Sequence, residues 1–275
     1  MFITNPASYI VEPSSRIEFA STVDSVSAVV NVRWYSNKIN VTDSTRFAVP
    51  STTQWLVARP GALDVGAIYT FTLIATDVLG RIGQANVTVL TNRPPVNGTF
   101  TNSPLLGFAL QTVFRFSAQG WSDPDGDVLS FDFGFISSAK NAARIQLRSS
   151  TNATATSMLP LGANLSVSAF VIDAFGAATR RNSTATTLIP RGGVIDTVNS
   201  AIGASVASGD ELMSLVASCT ETLNIADDGG DVPNDTFTAM VASRRRLLGI
   251  ALNVPSFETP LLRQRLCCTL RLSSY

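Results

Sequence analysis

A strand-and-turn pattern occurs twice in this chain, 96 residues apart, and any fold must satisfy both copies. In the first, Tyr69, Phe71, Leu73 and Ala75 alternate with Thr70, Thr72 and Thr76, the period of two expected of a half-buried strand. Ile74 alone breaks the alternation. Asp77-Val78-Leu79-Gly80 then turns the chain into a second alternating run over residues 85–90. In the second copy Leu159, Gly162, Asp173 and Gly176 fall opposite Leu63, Gly66, Asp77 and Gly80. Leu165, Val167, Ala169 and Val171 keep the buried phase against Ser166 and Ser168. The phase repeats as well as the letters, so two modules of one kind are expected. An apolar strand precedes each, over residues 28–34 and 128–135.

Leu63-x-x-Gly66-x-x-Tyr69 resembles the tyrosine corner of immunoglobulin-like and fibronectin-type sandwiches, in which the phenol bonds back to the backbone. Leu165 stands at the matching place in the second copy. Copies of about 90 to 100 residues suit such sandwiches, and Asn92-Arg93-Pro94-Pro95 and Asp123-Pro124-Asp125-Gly126-Asp127 are turn signals. From Gly192 the period changes: Val194, Ile195, Val198, Ile202 and Val206 follow helical spacing. A second helix is predicted after Gly209-Asp210, through Leu212, Leu215 and Val216. A third is predicted from Asn234-Asp235 through Phe237, Met240 and Val241, ending at Arg244-Arg245-Arg246, where cations suit the helix dipole. The expected fold is mainly β: two tandem immunoglobulin/fibronectin-III/PKD-like β-sandwiches, residues 1–92 and 93–191, then a short helical segment, 192–246, and an irregular tail, 247–275.

Composition narrows the function. A chain with 45% hydrophobic and 15% charged residues is globular rather than disordered. Its 20 basic residues balance 20 acidic ones, so no global field draws nucleic acid. There is no histidine, which removes Ser-His-Asp, Cys-His and His-metal chemistry. Glycosidase-type work needs two acids across a cleft, and no second acid is placed opposite Asp123, so no enzyme is expected. Three cysteines, Cys219, Cys267 and Cys268, do not form a disulfide framework. Glycosylation acceptors of the N-x-[ST] type stand at Asn40, Asn86, Asn97, Asn152, Asn164, Asn182 and Asn234, an excess that favours the secretory pathway. Met1-Phe2-Ile3 runs into Asn5-Pro6 without a signal-peptide pattern, and the apolar stretch 247–252 is too short for a membrane helix. A fragment of a longer protein is the simplest expectation.

Asn92-Arg93-Pro94-Pro95-x-x-Gly98, followed by Pro104, Gly107, Ala109-Leu110, Thr112, Phe114, Phe116 and Gly120-Trp121-x-Asp123, resembles the receptor-for-egg-jelly (REJ) modules of polycystin-type membrane proteins. The stretch Ala207-Ser208-Gly209-Asp210 through Leu212, Val216-Ala217-Ser218 and Thr222-Leu223-Asn224 is similar to the helical part that follows them. The cysteine pair usual in that family falls on Phe100 and Ala118, so an apolar pair stands where a bridge is expected. The resemblance implies a non-catalytic extracellular module of a receptor or channel, on the outer face of the plasma membrane, acting in adhesion, ligand binding or mechanical linkage. Its partner would be an extracellular protein or carbohydrate, and membrane attachment would come only through other parts of a longer chain. The alternative is a secreted or cell-wall-associated structural glycoprotein.

Asp123, Asp125 and Asp127 place three carboxylates at alternate positions of one turn, the way loop Ca²⁺ sites gather hard oxygens. No closing acid follows them, and the same string is a good turn before a strand, so the plain turn is preferred and no cofactor is expected. A loop bearing Asp77 is a candidate to complete the site. Trp34 and Trp121 are expected in cores; Trp55 is left open. Arg244-Arg245-Arg246-Leu247-Leu248 is expected to be a charged helix end rather than a sorting signal.

Overall fold

The structure, a computed structural model, describes residues 8–23, 28–136, 144–204, 209–228 and 234–252. The chain divides into two compact units. The first comprises Met1–Pro95, Asp123–Val128 and Ile172–Ala178, and the second Val96–Ser122, Leu129–Val171 and Thr179–Tyr275.

In the first unit β1 (Ser8–Val11), β2 (Ile17–Ala20), β3 (Val29–Ser36), β4 (Trp55–Ala58), β5 (Ile68–Asp77) and β6 (Ile82–Thr91) form two sheets, ordered β1-β6-β5-β3 and β2-β4. Alternation decides which side chains go in. Along β5 every second residue, Tyr69 to Asp77, is buried, and Ile74 sits on the partly exposed face. Trp34, Phe19, Phe47, Leu56, Phe71, Leu73, Val87 and Val89 close one core. Phe19 and Phe71 lie ring to ring at 4.7 Å. Burying each such side chain contributes roughly 1.5–3 kcal/mol. The tyrosine corner forms as expected: the Asp64 backbone N–H donates to the Tyr69 phenol oxygen at 3.0 Å, and the phenol donates to Asp64 Oδ2 at 3.0 Å.

The second unit carries β7 (Thr99–Ser103), β8 (Leu106–Phe108), β9 (Val113–Gln119), β10 (Ser130–Ile136), β11 (Arg144–Ser150), β12 (Thr154–Met158), β13 (Gly162–Ile172) and β14 (Ala178–Leu188). They order as β11-β10-β13-β14-β8 and β12-β9-β7. Phe114, Phe116, Phe133, Phe135, Leu159, Val167 and Val171 fill the space between them. The apolar strand expected from Val128 starts later, at Ser130, and Val128 is 77% exposed. Residues 126–129 belong to no strand, so no neighbouring strand covers that side chain.

Each set of strands ends on a parallel pair. β1 lies beside β6 with Ser8 opposite Thr88 and Val11 opposite Thr91. β8 lies beside β14 with Leu106 opposite Thr186 and Phe108 opposite Leu188.

Helices α1 (Val194–Ala204), α2 (Gly209–Asp228) and α3 (Asn234–Leu252) follow in the second unit. Val198, Ile202, Val216, Cys219, Leu223, Met240 and Leu247 share a core with Leu110. Thr222 Oγ1 of α2 accepts a hydrogen bond from the Leu161 backbone N–H at 3.1 Å. The third helix does not end at Arg246. It runs to Leu252, so the irregular tail does not begin at 247 and Arg244-Arg245-Arg246 lie inside the helix. Met240, Ser243, Arg244 and Leu247 make its buried stripe, and Arg244 Nη2 donates to Asn224 Oδ1 at 3.3 Å. A partnered, buried arginine is compatible with a helix interior, and Leu247 three residues on extends the stripe. Val206, Cys267 and Cys268 lie outside the described residues, as do the side chains of Asn234, Asp235 and Phe237.

Candidate functional site

The two copies of the Asp-x-x-Gly turn share one local geometry. Asp77 Oδ1 accepts the backbone N–H of Leu79 at 2.9 Å and of Arg81 at 3.0 Å. Asp173 Oδ1 accepts those of Phe175 and Ala177, both at 2.9 Å. Gly80 and Gly176 close the two turns at φ 73° and 90°, where a Cβ is disfavoured. The second carboxylate oxygen separates the copies. Asp77 Oδ2 is met at 2.7 Å by the Arg81 guanidinium. The residue matching Arg81 is Ala177, and Asp173 Oδ2 instead accepts from the amide of Asn92 at 2.7 Å.

Around Asp173 the first unit gathers negative charge. One carboxylate oxygen from each of Asp123, Asp127 and Asp173 lies within 4.8 Å of the others. Asp123 Oδ1 is taken up by its own turn, accepting the N–H of Asp125 at 2.7 Å and of Asp127 at 3.3 Å. Asp123 Oδ2 and Asp127 Oδ2 are buried without a hydrogen-bond partner. Asn92, fully buried just past β6, also donates Nδ2 to Glu12 Oε2 at 3.1 Å, and its own Oδ1 has no partner. Loss of water and then the neighbouring charges of Asp123, Asp173 and Asp125 push the Asp127 carboxyl above the usual carboxylate range. Clustered oxygens without nitrogen or sulfur suit a hard cation, not a soft one.

Asp125, expected to share that turn's chemistry, faces elsewhere. Arg93 donates Nε and Nη2 to its Oδ1 at 2.9 and 2.7 Å, and its backbone N–H to Oδ2 at 2.8 Å. The Arg93 side-chain bond, outweighing loss of water, holds the Asp125 carboxyl below its ordinary value. With Oδ1 held by two guanidinium bonds and Oδ2 by the backbone N–H, the Asp125 carboxylate is paired with Arg93 and lies outside the group that Asp123 and Asp127 join. The expected trio of Asp123, Asp125 and Asp127 is therefore replaced by Asp123, Asp127 and Asp173. Asp77, whose loop was the candidate to complete such a site, is paired with Arg81, and its repeat counterpart Asp173 stands beside Asp123 and Asp127 instead. Asn92 and Glu12 carried no sequence signal for this role beyond the Asn92-Arg93 turn.

The remaining candidates are placed as follows. Asn40, Asn86, Asn97, Asn152, Asn164 and Asn182 are exposed; the side chain of Asn234 lies outside the described residues. Trp34 is buried, Trp55 is 54% exposed, and Trp121 is half-buried over Gly98. Phe100 and Ala118 are directly opposite one another on β7 and β9 and both are buried. Cys219 is buried in the helical core, which pushes its thiol up to about 12. Among the described residues no helix is long and apolar enough to cross a membrane.

Comparison with known proteins agrees with the motifs. Human polycystin-1 is 40% identical over 98 residues, which make up 34% of this chain and 2% of that protein. Solved structures with some likeness include the N-terminal eight Ig domains of Down Syndrome Cell Adhesion Molecule isoform 1.30.30, at 11% identity over 67% of this chain and 24% of that one, TM-score 0.39. Titin domains A168–A170 match at 10% identity over 66% of this chain and 61% of that one, TM-score 0.37. The sandwich assignment stands on the strand order and register of the chain itself. The REJ domain family matches residues 3–210, well over half of the sequence, and the chain therefore belongs to that family.

Proposed function

We propose that this chain is a non-catalytic, load-bearing module of the extracellular region of a polycystin-type membrane protein. The observation that carries the proposal is the parallel pairing of an early strand with the last strand, in β1–β6 and again in β8–β14. When a chain is pulled by its ends, β1 is drawn backward and β6 forward along the same axis. The ladder bonds between two parallel strands then load together rather than opening one at a time, so the barrier to forced unfolding is high. Six exposed glycosylation acceptors support an extracellular place. Burial of the Cys219 thiol and the lack of histidine argue against nucleophilic catalysis.

Single-molecule pulling through the chain ends tests this. Val11→Pro, which removes the β1 backbone N–H that faces β6, is expected to lower the unfolding force of the first unit. Tyr35→Pro, on the edge strand β3 outside the force path, is expected to leave that force nearly unchanged for a matched loss of equilibrium stability. If both variants lower the force alike, the load does not run through β1–β6.

A further inference from the structure

We propose that Asp123, Asp127 and Asp173 form a Ca²⁺ site. Their three oxygens lie within 4.8 Å of one another, a spread that a shell of Ca–O bonds of about 2.3–2.6 Å spans. Two further facts point to a cation rather than to a plain turn.

The first is what the oxygens lack. Asp123 Oδ2 and Asp127 Oδ2 are shut off from water with no donor, and Asn92, wholly buried against Asp173, has an unpartnered Oδ1. Buried acceptors in a folded chain are nearly always satisfied, and like charges this close repel. One divalent ion would answer the two orphan carboxylate oxygens and offset the repulsion. Asn92 would act as an outer partner, holding Asp173 through Nδ2.

The second is the internal comparison. The chain contains the same turn twice, and in the first copy an arginine supplies the positive charge at this oxygen. The second copy has Ala177 there and two extra carboxylates. The charge missing from the chain is the charge a metal ion brings. Three protein oxygens leave several positions for water, so affinity is expected in the range of extracellular modules, about 10⁻⁴–10⁻³ M. Magnesium holds its waters more tightly and needs a stricter octahedron, so it is expected to bind less well.

Bound Ca²⁺ would tie together the segments at Asp123–Val128, at Ile172–Ala178 and, through Asn92, at the end of β6. The test uses the whole chain, chelated and then titrated with CaCl₂ or MgCl₂ by calorimetry, with thermal unfolding followed in parallel. One heat-producing site and a rise in melting temperature with Ca²⁺ exceeding that with Mg²⁺ are expected. Asp127→Asn is expected to weaken Ca²⁺ at least tenfold while raising the melting temperature of the calcium-free protein, because it removes one of three repelling charges. Ala177→Arg, which copies Arg81, is expected to do the same by supplying a cation of its own. Asp125→Asn should keep Ca²⁺ affinity within about threefold. Wild-type protein that gives neither heat nor a melting shift at 10 mM Ca²⁺ overturns the site. So does Ca²⁺ binding that survives Asp127→Asn unchanged or is lost in Asp125→Asn with the fold intact. None of these outcomes touches the strand pairing on which the mechanical proposal stands.

Discussion

Replacing Phe100 and Ala118 together by cysteine sets two known magnitudes against each other. The Ala118 backbone N–H donates to Ala153 O at 2.8 Å, on the β12 side. It therefore does not bond to Phe100, and the pair is of the non-hydrogen-bonded kind, with Cα atoms about 4.5 Å apart. That lies just inside the range of about 4.4–6.8 Å that a disulfide accepts, so the bridge should close with little backbone movement. Closing a loop of this length contributes about 3 kcal/mol. Against it stands the loss of Phe100, which packs with ring centroids at 6.4 Å from Phe116 and 6.1 Å from Phe133. Truncating a buried phenylalanine costs about 3–5 kcal/mol, of which the sulfur of cysteine recovers a part. The oxidised double variant should consequently match the wild type to within about 1 kcal/mol, and the reduced one should fall about 3 kcal/mol below it. Hydrogen exchange of peptides from β9 and β10, measured against urea with and without reductant, reads both differences. Cys267→Ser and Cys268→Ser in the background keep the bridge unambiguous. Failure of the bridge to form would refute the register; a reduced variant as stable as wild type would refute the view that Phe100 fills the place of a disulfide.

Gly98→Ala should cost about 1–3 kcal/mol, because a Cβ there would run into the Trp121 ring, far inside contact distance. In a Trp121→Ala background the same change should cost almost nothing, and a full penalty there rules out the ring as its cause. The raised thiol of Cys219 sets a sign for alkaline pH. Its folded value of about 12 lies above the ordinary value, so the unfolded chain releases the proton first. Its stabilising share is complete below about pH 8.5 and is lost as pH rises toward 12, at about 1.4 kcal/mol per unit. Unfolding free energies from urea titrations at pH 8.5 and 10 should therefore diverge by about 1.5 kcal/mol between wild type and Cys219→Ala, both lacking Cys267 and Cys268; parallel loss in the two proteins would contradict the buried thiol.

The fold was legible where one side chain at a time reports its face. In β5 the residues lying between the buried ones are threonines and Ile74, and the burial follows the letters almost without exception. The same alternation misled at Val128, since an apolar residue beside a turn carries no mark of whether a neighbouring strand reaches it. At Arg244 the letters suggested a charged helix end, whereas Leu247 beyond it continues the buried stripe and Asn224 accepts a hydrogen bond from the guanidinium. The acidic cluster was half legible. Asp123 and Asp127 announced themselves, and Asp173 was marked as a turn residue by its match to Asp77. That Arg93 would remove Asp125 and that Asp173 would take its place depends on contacts across 32 residues and more. No local period encodes such a meeting.

The parallel pairs have a consequence for how the chain is made. Ser8 meets Thr88 and Leu106 meets Thr186, in each case 80 residues later. During synthesis the early strand of each module must wait, with its ladder groups open, until nearly the whole module has left the ribosome. Contacts this distant close slowly, and an open strand edge is a template for any neighbouring chain that offers a partner. Two nascent copies side by side could satisfy each other's early strands, so this architecture rewards spaced translation, chaperone cover or early glycans that keep the copies apart.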